Sequence, residues 1–263
     1  MKKILARVLL GLLMVAMIAT AVACTNDPAD PAEPDPVTTP STDPGETDPD
    51  DGNKEDIHAK SEGVMTYAEY EAAALDSEVV IEAFVQGKQS WWENKGTFYT
   101  QDKDGAYFLY ELACTEEQYN QLTVGTKIKV TGYKAEWSGE VEIVDATFEI
   151  LEGNWVAEAT DMTALLGKDE LIKHQNMVAV FKGMTVVSVS YKNDQRGDDI
   201  YVTLSKDGAE YSFCVEYYLT NTETAVYQAV EALKAGDVID VTGFLYWYNG
   251  PNTHITAIAP AAE

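Results

Sequence analysis

The residues of this chain best suited to chemistry are aromatic, and they fall in short clusters. Trp91-Trp92, Trp137, Tyr191 and Tyr246-Trp247-Tyr248 lie in stretches that read as loops, with Tyr99 and Tyr107 in the strands between the first of them. Flat aromatic faces beside Asp and Asn suit stacking on sugar rings or nucleobases, the polar neighbours taking hydroxyls. The same residues have a second use, because Tyr and Trp are frequent in strands and aromatic loops can pack one domain on another. Catalytic patterns are missing. No Gly-x-Ser-x-Gly elbow, His-Glu-x-x-His pair or phosphate loop occurs, and His58, His174 and His254 are scattered along the chain. Asp102-x-Asp104-Gly105 shares a fragment with calcium loops but lacks the remaining ligands, so it reads as a turn. Arg196-Gly197-Asp198 sits in a turn-prone stretch, where Gly and Asp are simply turn residues. The expectation is a binding protein, not an enzyme, with no metal and no cofactor.

The elements that must position these aromatics are written twice. Leu122, Gly125, Ile128, Val130, Thr131, Gly132, Tyr133 and Gly139 recur 111 residues later as Leu233, Gly236, Ile239, Val241, Thr242, Gly243, Phe244 and Gly250. One module in two copies is the simplest account. In the first copy, a helix-prone piece at 66–73 precedes a strand at 79–87. A second strand at 97–101 and a third at 106–112 flank the Asp-Gly turn at 102–105. Thr115 can cap a short helix to Gln121, a fourth strand follows Gly125, and a fifth begins at Glu140. The apolar phase of that fifth strand shifts between Ile143 and Ala146, which predicts a bulge.

The second copy repeats the order. A leading helix is expected within 161–174, strands at 177–190, 199–205 and 210–217, and a helix capped by Asn221 or Thr222 with Val226, Ala229, Val230 and Leu233 on one face. Three strands, a helix and two strands is the order of the five-stranded Greek-key barrel called the OB-fold. The predicted fold is therefore mainly β: two tandem five-stranded OB-fold-like barrels, at 61–154 and 155–263, each with a helix between strands 3 and 4. In such barrels ligands lie over strands 2 and 3, between the loops joining strands 1 to 2 and 4 to 5. That rule singles out Trp91, Trp92, Tyr99, Tyr107 and Trp137 in the first copy, and Tyr191, Tyr246, Trp247 and Tyr248 in the second. Tyr110, Tyr201 and Tyr211 lie on the sheets between.

The stretches 99–107 and 124–133 resemble the OB-fold modules of exported bacterial lipoproteins and secreted nucleases. The resemblance implies an exported setting and the barrel fold. Within that family such modules are often labelled nucleic-acid binding by analogy of fold.

The start of the chain agrees with export. Lys2, Lys3 and Arg7 precede an apolar run from Val8 to Ala19, and Ala21-Val22-Ala23-Cys24 closes a signal peptide over 1–23. The small residues before Cys24 resemble the bacterial lipobox, although Ala21 stands where that pattern usually has Leu. This implies a lipid on Cys24 and attachment to the outer face of the membrane. Residues 24–60 hold seven of the nine prolines, with eleven acidic residues against two basic ones, and read as an extended tether. Beyond it, 33 acidic residues face 13 basic ones. Phosphate backbones draw affinity from basic contacts, so this balance disfavours nucleic acid. Lys88, Lys95 and Lys134 are the lysines nearest the first aromatic set. Three ligand classes are carried forward: an extracellular oligosaccharide or other polymer, single-stranded nucleic acid, and a protein partner. Cys114 and Cys214 do not occupy matching positions in the two copies, so buried free thiols are expected and a bridge between modules is the alternative.

Overall fold

A computed structural model describes residues 56–261. The signal segment, Cys24 and most of the tether lie outside these residues. Those from 56 to 60, which composition groups with the tether, lie against the first barrel. The His58 ring packs edge-on against Phe84 and Trp155, and Lys60 pairs with Asp102.

The first module opens with α1 (Tyr67–Ala72), capped by Thr66 in a reciprocal box with Glu69. Its Tyr70 drops into the barrel end and meets Tyr107 edge-on at 4.8 Å. Five strands and a helix follow: β1 (Glu78–Lys88), β2 (Lys95–Gln101), β3 (Ala106–Ala113), α2 (Glu116–Gln121), β4 (Thr126–Trp137) and β5 (Glu140–Asn154). They close in the order β1-β2-β3-β5-β4, with β4 returning to β1 and β3 running parallel to β5. This is the strand order of the OB-fold. Val79, Ile81, Val85, Phe98, Leu109, Ile128 and Val130 fill the interior. The Asp-Gly turn is held by Asp102, whose carboxylate accepts from the amides of Asp104 and Gly105. Leu112 enters the core on the same side as Tyr107 and Leu109, against simple alternation. Glu111 takes φ 50° and the β2–β3 register shifts there, so the chain changes phase by one residue.

The second module begins with a short β6 (Thr160–Asp161). Where a leading helix was expected, two 3₁₀ segments stand at Thr163–Leu165 and Asp169–His174, separated by Gly167 at φ 73°. A left-handed residue ends the helical path at that point. Then come β7 (Val178–Tyr191), β8 (Ile200–Lys206), β9 (Ala209–Val215), α3 (Ala225–Glu231), β10 (Val238–Phe244) and β11 (Asn252–Pro260). β10 pairs with both β11 and β7, and β9 runs parallel to β11, so this barrel closes as the first does, with β6 added beside β7. The cap of α3 is Thr224 rather than Asn221 or Thr222. Asn221 is spent on the preceding turn, where its side chain accepts from Glu223 and its carbonyl from Thr224. Tyr227 and Val230 form the buried face of α3, while Ala229 is exposed.

The repeated Thr-Gly pair has a structural reason. Gly132 faces Val79 across the β4–β1 ladder, and Gly243 faces Ala179 across β10–β7. On the other side of each glycine the fifth strand bulges, at Thr131/Tyr133 and again at Thr242/Gly243. A Cβ on Gly243 would stand 2.3 Å from the carbonyl oxygen of His254, and one on Gly132 would stand 2.7 Å from Ala146 and Ile143. Only glycine allows the bulged strand to approach this closely. The bulge foreseen near Ala146 is thus present in both copies.

The two barrels belong to one compact unit. Tyr99 and Phe108 of the first meet Val178, Leu219, Phe244 and Tyr246 of the second in a cluster of their own. Around it, Gln101 accepts from Val178 N, Tyr218 O accepts from Ser90 N, and Ser138 O accepts from Asn249 N.

Candidate ligand-binding cleft

The outer face of β2 and β3 in the first barrel, where an OB-fold would hold a ligand, is largely covered. Tyr99 is fully buried and stacks on Phe244. Phe108 meets Tyr246 edge-on at 5.2 Å. Tyr246 in turn stacks on His254 at 4.2 Å. The loop between β10 and β11 of the second barrel therefore occupies the binding face of the first.

The same docking leaves a cleft over the second barrel's own face. Tyr201, Ser212 and Cys214 point outward from β8 and β9 while Val202, Phe213 and Val215 fill the interior, as strand alternation requires. Over them lies a cavity of about 750 Å³, bounded on the far side by Tyr110, Glu142 and Trp137 of the first barrel and at its ends by Tyr218 and Tyr248. This volume is within the range that holds a small-molecule or short-chain ligand. Tyr110 and Tyr218 also line an adjoining depression of about 480 Å³ that reaches Trp91, Trp92 and Lys95, so the surface continues across both barrels.

The sequence-selected aromatics divide into three groups. Trp137 and Tyr248 lie at the cleft, about half exposed, with their rings 5.2 Å apart and tilted by 37°. Trp92 stands 73% exposed in the adjoining depression, and Trp91 beside it is tied down by its indole donating to the carbonyl of Cys114. The others serve packing. Tyr99 and Tyr246 join the barrels, Tyr107 is fully buried in the first core, and Trp247 packs on the second core and beside Gly139. Tyr191 packs against the second core, its hydroxyl bonded to Glu231 and its proton held more tightly by that carboxylate. Tyr99 and Tyr107 offer no ring face to a ligand in this arrangement.

Several lining groups were not singled out in the sequence. Glu142 comes from β5, Asp199 from the turn before β8, Glu216 and Tyr218 from the segment after β9, and Asn252 and His254 from β11, and no local pattern joins these four places. Tyr110 and Tyr201 carried a signal, being aromatic on strands 3 and 2 of their barrels. Glu216 has its carboxyl pushed up to about 7 by burial and by the nearby Asp199, while backbone amides of Leu219 and Tyr218 pull the other way. Burial raises Glu142 as well, with Glu111 adding to it. Lys192 is the lysine in the cleft lining, and it is paired with Asp199 at 2.9 Å and Asp198 at 3.7 Å.

His254 is fixed by its neighbours. Gln89 donates to the Tyr99 hydroxyl, which in turn meets Nδ1 of His254. The phenol then donates its own proton to Nδ1, which places the imidazole proton on Nε2. Burial depresses the ring to about 3, so it stays neutral. Nε2–H makes no hydrogen bond among the described residues, and His254 lines the cleft.

Elsewhere, the lysines nearest the first aromatic set and the special loops are engaged within the fold. Lys134 Nζ donates to the carbonyls of Tyr70, Glu71 and Ala73 at the end of α1, Lys88 donates to Tyr119 O and lies over its ring, and Lys95 pairs with Glu111. The Arg196-Gly197-Asp198 loop is pinned by Tyr227, which accepts from Gly197 N and donates to Asp198 O, while Arg196 pairs with Glu231. Cys114 and Cys214 are buried free thiols. Among the described residues, no group of His, Cys, Asp and Glu is arranged to hold a metal.

No family model and no curated protein matches the chain. Among solved structures it is similar to the Ifi202 HINa domain in complex with 20bp dsDNA, at 11% identity, covering 70% of this chain and 98% of that one with a TM-score of 0.32. It is similar also to a murine DNA binding protein bound with dsDNA, at 12% identity, 70% and 97% coverage and a TM-score of 0.33. A third is a replication protein A heterotrimer bound to ssDNA, at 12% identity, 76% and 52% coverage and a TM-score of 0.30. The assignment of tandem OB-fold-like barrels rests on the closed strand order of each module.

Proposed function

We propose that this chain is a non-catalytic binding protein, held on the outer face of a bacterial membrane by a lipid on Cys24, whose inter-barrel cleft takes an extracellular oligosaccharide. The observation that carries this reading is the composition of the cleft. Exposed rings of Tyr110, Trp137, Tyr201, Tyr218 and Tyr248 surround the carboxyls of Glu142, Asp199 and Glu216. Aromatic faces stack on the apolar faces of sugar rings, and carboxylates accept from hydroxyls. The tandem barrels supply both walls, and their fixed docking supports a preformed site.

A second reading is single-stranded nucleic acid, favoured by the position of the cleft over strands 2 and 3 of the second barrel and by its stacking rings. Charge weighs against it. The cleft is acidic, and Lys88, Lys95, Lys134 and Lys192 all have partners within the fold. Phosphate binding needs free cations along the strand.

Tryptophan fluorescence and calorimetry on the full chain distinguish these readings. A saturable response to a wall or host glycan, at least ten-fold weaker in Trp137→Ala and Tyr248→Ala and little changed by salt, is the expected result. A response to single-stranded DNA that collapses between low and high salt replaces the glycan reading with the nucleic-acid one. No response to either removes both and leaves a protein partner as the next candidate.

A further inference from the structure

Resting on the glycan reading, we propose that the cleft selects sugars bearing a free amino group, with Glu142 as the residue that recognises the ammonium. Glu142 stands on β5 opposite Phe108, in the wall that the first barrel contributes. It is 9% exposed and has neither a hydrogen bond nor an ion pair among the described residues. A carboxylate so placed costs free energy unless something completes it. It opens on the cleft and also on a shallower depression where Lys95 is already paired with Glu111, so the partner it lacks is a group that enters from the cleft.

The charge of that group follows from the surroundings. On the opposite wall stand Asp199 and Glu216, and the cation among the lining residues, Lys192, is held by Asp198 and Asp199. His254 is kept neutral and offers a single N–H donor. A neutral hydroxyl would satisfy one lone pair of Glu142 and leave the excess negative charge of the cleft uncompensated. An ammonium supplies three donors and the opposing charge together. The nearby faces of Tyr110 and Trp137 favour the same group by cation–π attraction. The sugar ring carrying the amine would stack on the aromatics, with His254 Nε2–H directed at a ring or hydroxyl oxygen.

The test is calorimetry on the full chain with a short β-linked glucosamine oligomer, its N-acetylated counterpart, and polylysine. The amine-bearing oligomer is expected to bind at least ten-fold more tightly than the acetylated one, a difference of about 1.4 kcal/mol. Glu142→Gln, which keeps shape and removes charge, is expected to bring the two oligomers within about three-fold of each other. Its melting temperature reports whether the fold is kept. Equal binding of both oligomers by the wild type, or tighter binding of the acetylated one, overturns amine selection while leaving the glycan reading in place. Binding of neither removes both. A preference that survives Glu142→Gln, or polylysine binding as tight as that of the amino sugar, assigns the effect to general surface charge and overturns the role of Glu142.

Discussion

Tyr99 of β2 and Phe244 of β10 lie face to face, their ring centres 4.2 Å apart and their planes within 10°. Tyr133 occupies the position in the first module that Phe244 occupies in the second, yet Tyr133 is exposed. The duplicated aromatic has therefore taken a different role in each copy. In the second it anchors one barrel on the binding face of the other, and the geometry of the cleft depends on it.

Phe244→Ala is expected to cost about 3–5 kcal/mol, the usual range for removing a buried aromatic ring. The loss should fall on the docking of the barrels. Scanning calorimetry is expected to show one unfolding transition in the wild type and two in the variant, with each barrel melting separately. A single transition shifted downward would mean that the barrels hold together without this stack.

Glu140 should make docking depend on pH. Its carboxylate accepts from Asn176 Nδ2 at 2.6 Å and from Trp247 N at 2.8 Å. Burial nevertheless raises it from 4.5 to about 8, with those two bonds pulling down and Glu142 adding slightly to the rise. The folded chain therefore keeps a proton that the unfolded chain releases between these values. The contribution is complete below about pH 4.5 and is lost as pH rises through 8. The wild type should lose on the order of 3 kcal/mol between pH 5 and 8 relative to Glu140→Gln, which cannot titrate. Parallel stability curves for the two proteins would show that Glu140 is ionised in the fold.

The glycines of the repeated Thr-Gly pair should tolerate no side chain. Gly243→Ala sets a methyl 2.3 Å from the backbone carbonyl of His254, and Gly132→Ala sets one 2.7 Å from Ala146 and Ile143 and 2.9 Å from the backbone carbonyl of Val144. Overpacking of this kind costs about 1–3 kcal/mol, and Gly243 should lie at or above the upper end because its backbone contact is the closer of the two. Chemical denaturation of both variants checks the order.

Membrane attachment should depend on Cys24, whereas Cys114 and Cys214 should react with thiol reagents only after unfolding. Cys24→Ala is expected to release the chain from the membrane fraction. Mass spectrometry after alkylation is expected to find both buried thiols unlabelled in the native protein and labelled in denaturant, since burial also raises both thiols above their ordinary range.

Much of the architecture is legible in the sequence because it is written in local patterns. The strand after Gly125, the Asp-Gly turn, the Thr115 cap and the phase shift before Ala146 each involve residues close along the chain, and each is present in the fold. The duplication supplied the second barrel. Where local reading stopped short, a particular residue shows why. Gly167 breaks the expected leading helix into two 3₁₀ segments, and Thr224 takes the cap of α3 because Asn221 is already spent on a turn.

The candidate site is a different matter. Local sequence marks Trp137 and Tyr248 as loop aromatics but cannot distinguish them from Tyr99 and Tyr246, which have the same chemistry and serve packing. That distinction arises only when the second barrel docks on the first and decides which rings are covered. The same docking gathers Glu142, Glu216 and His254, separated by 38 or more positions along the chain, around one cleft. Turns, caps and strand periodicity follow from forces acting between near neighbours; the cleft follows from which two faces meet, and that is decided by tertiary packing alone.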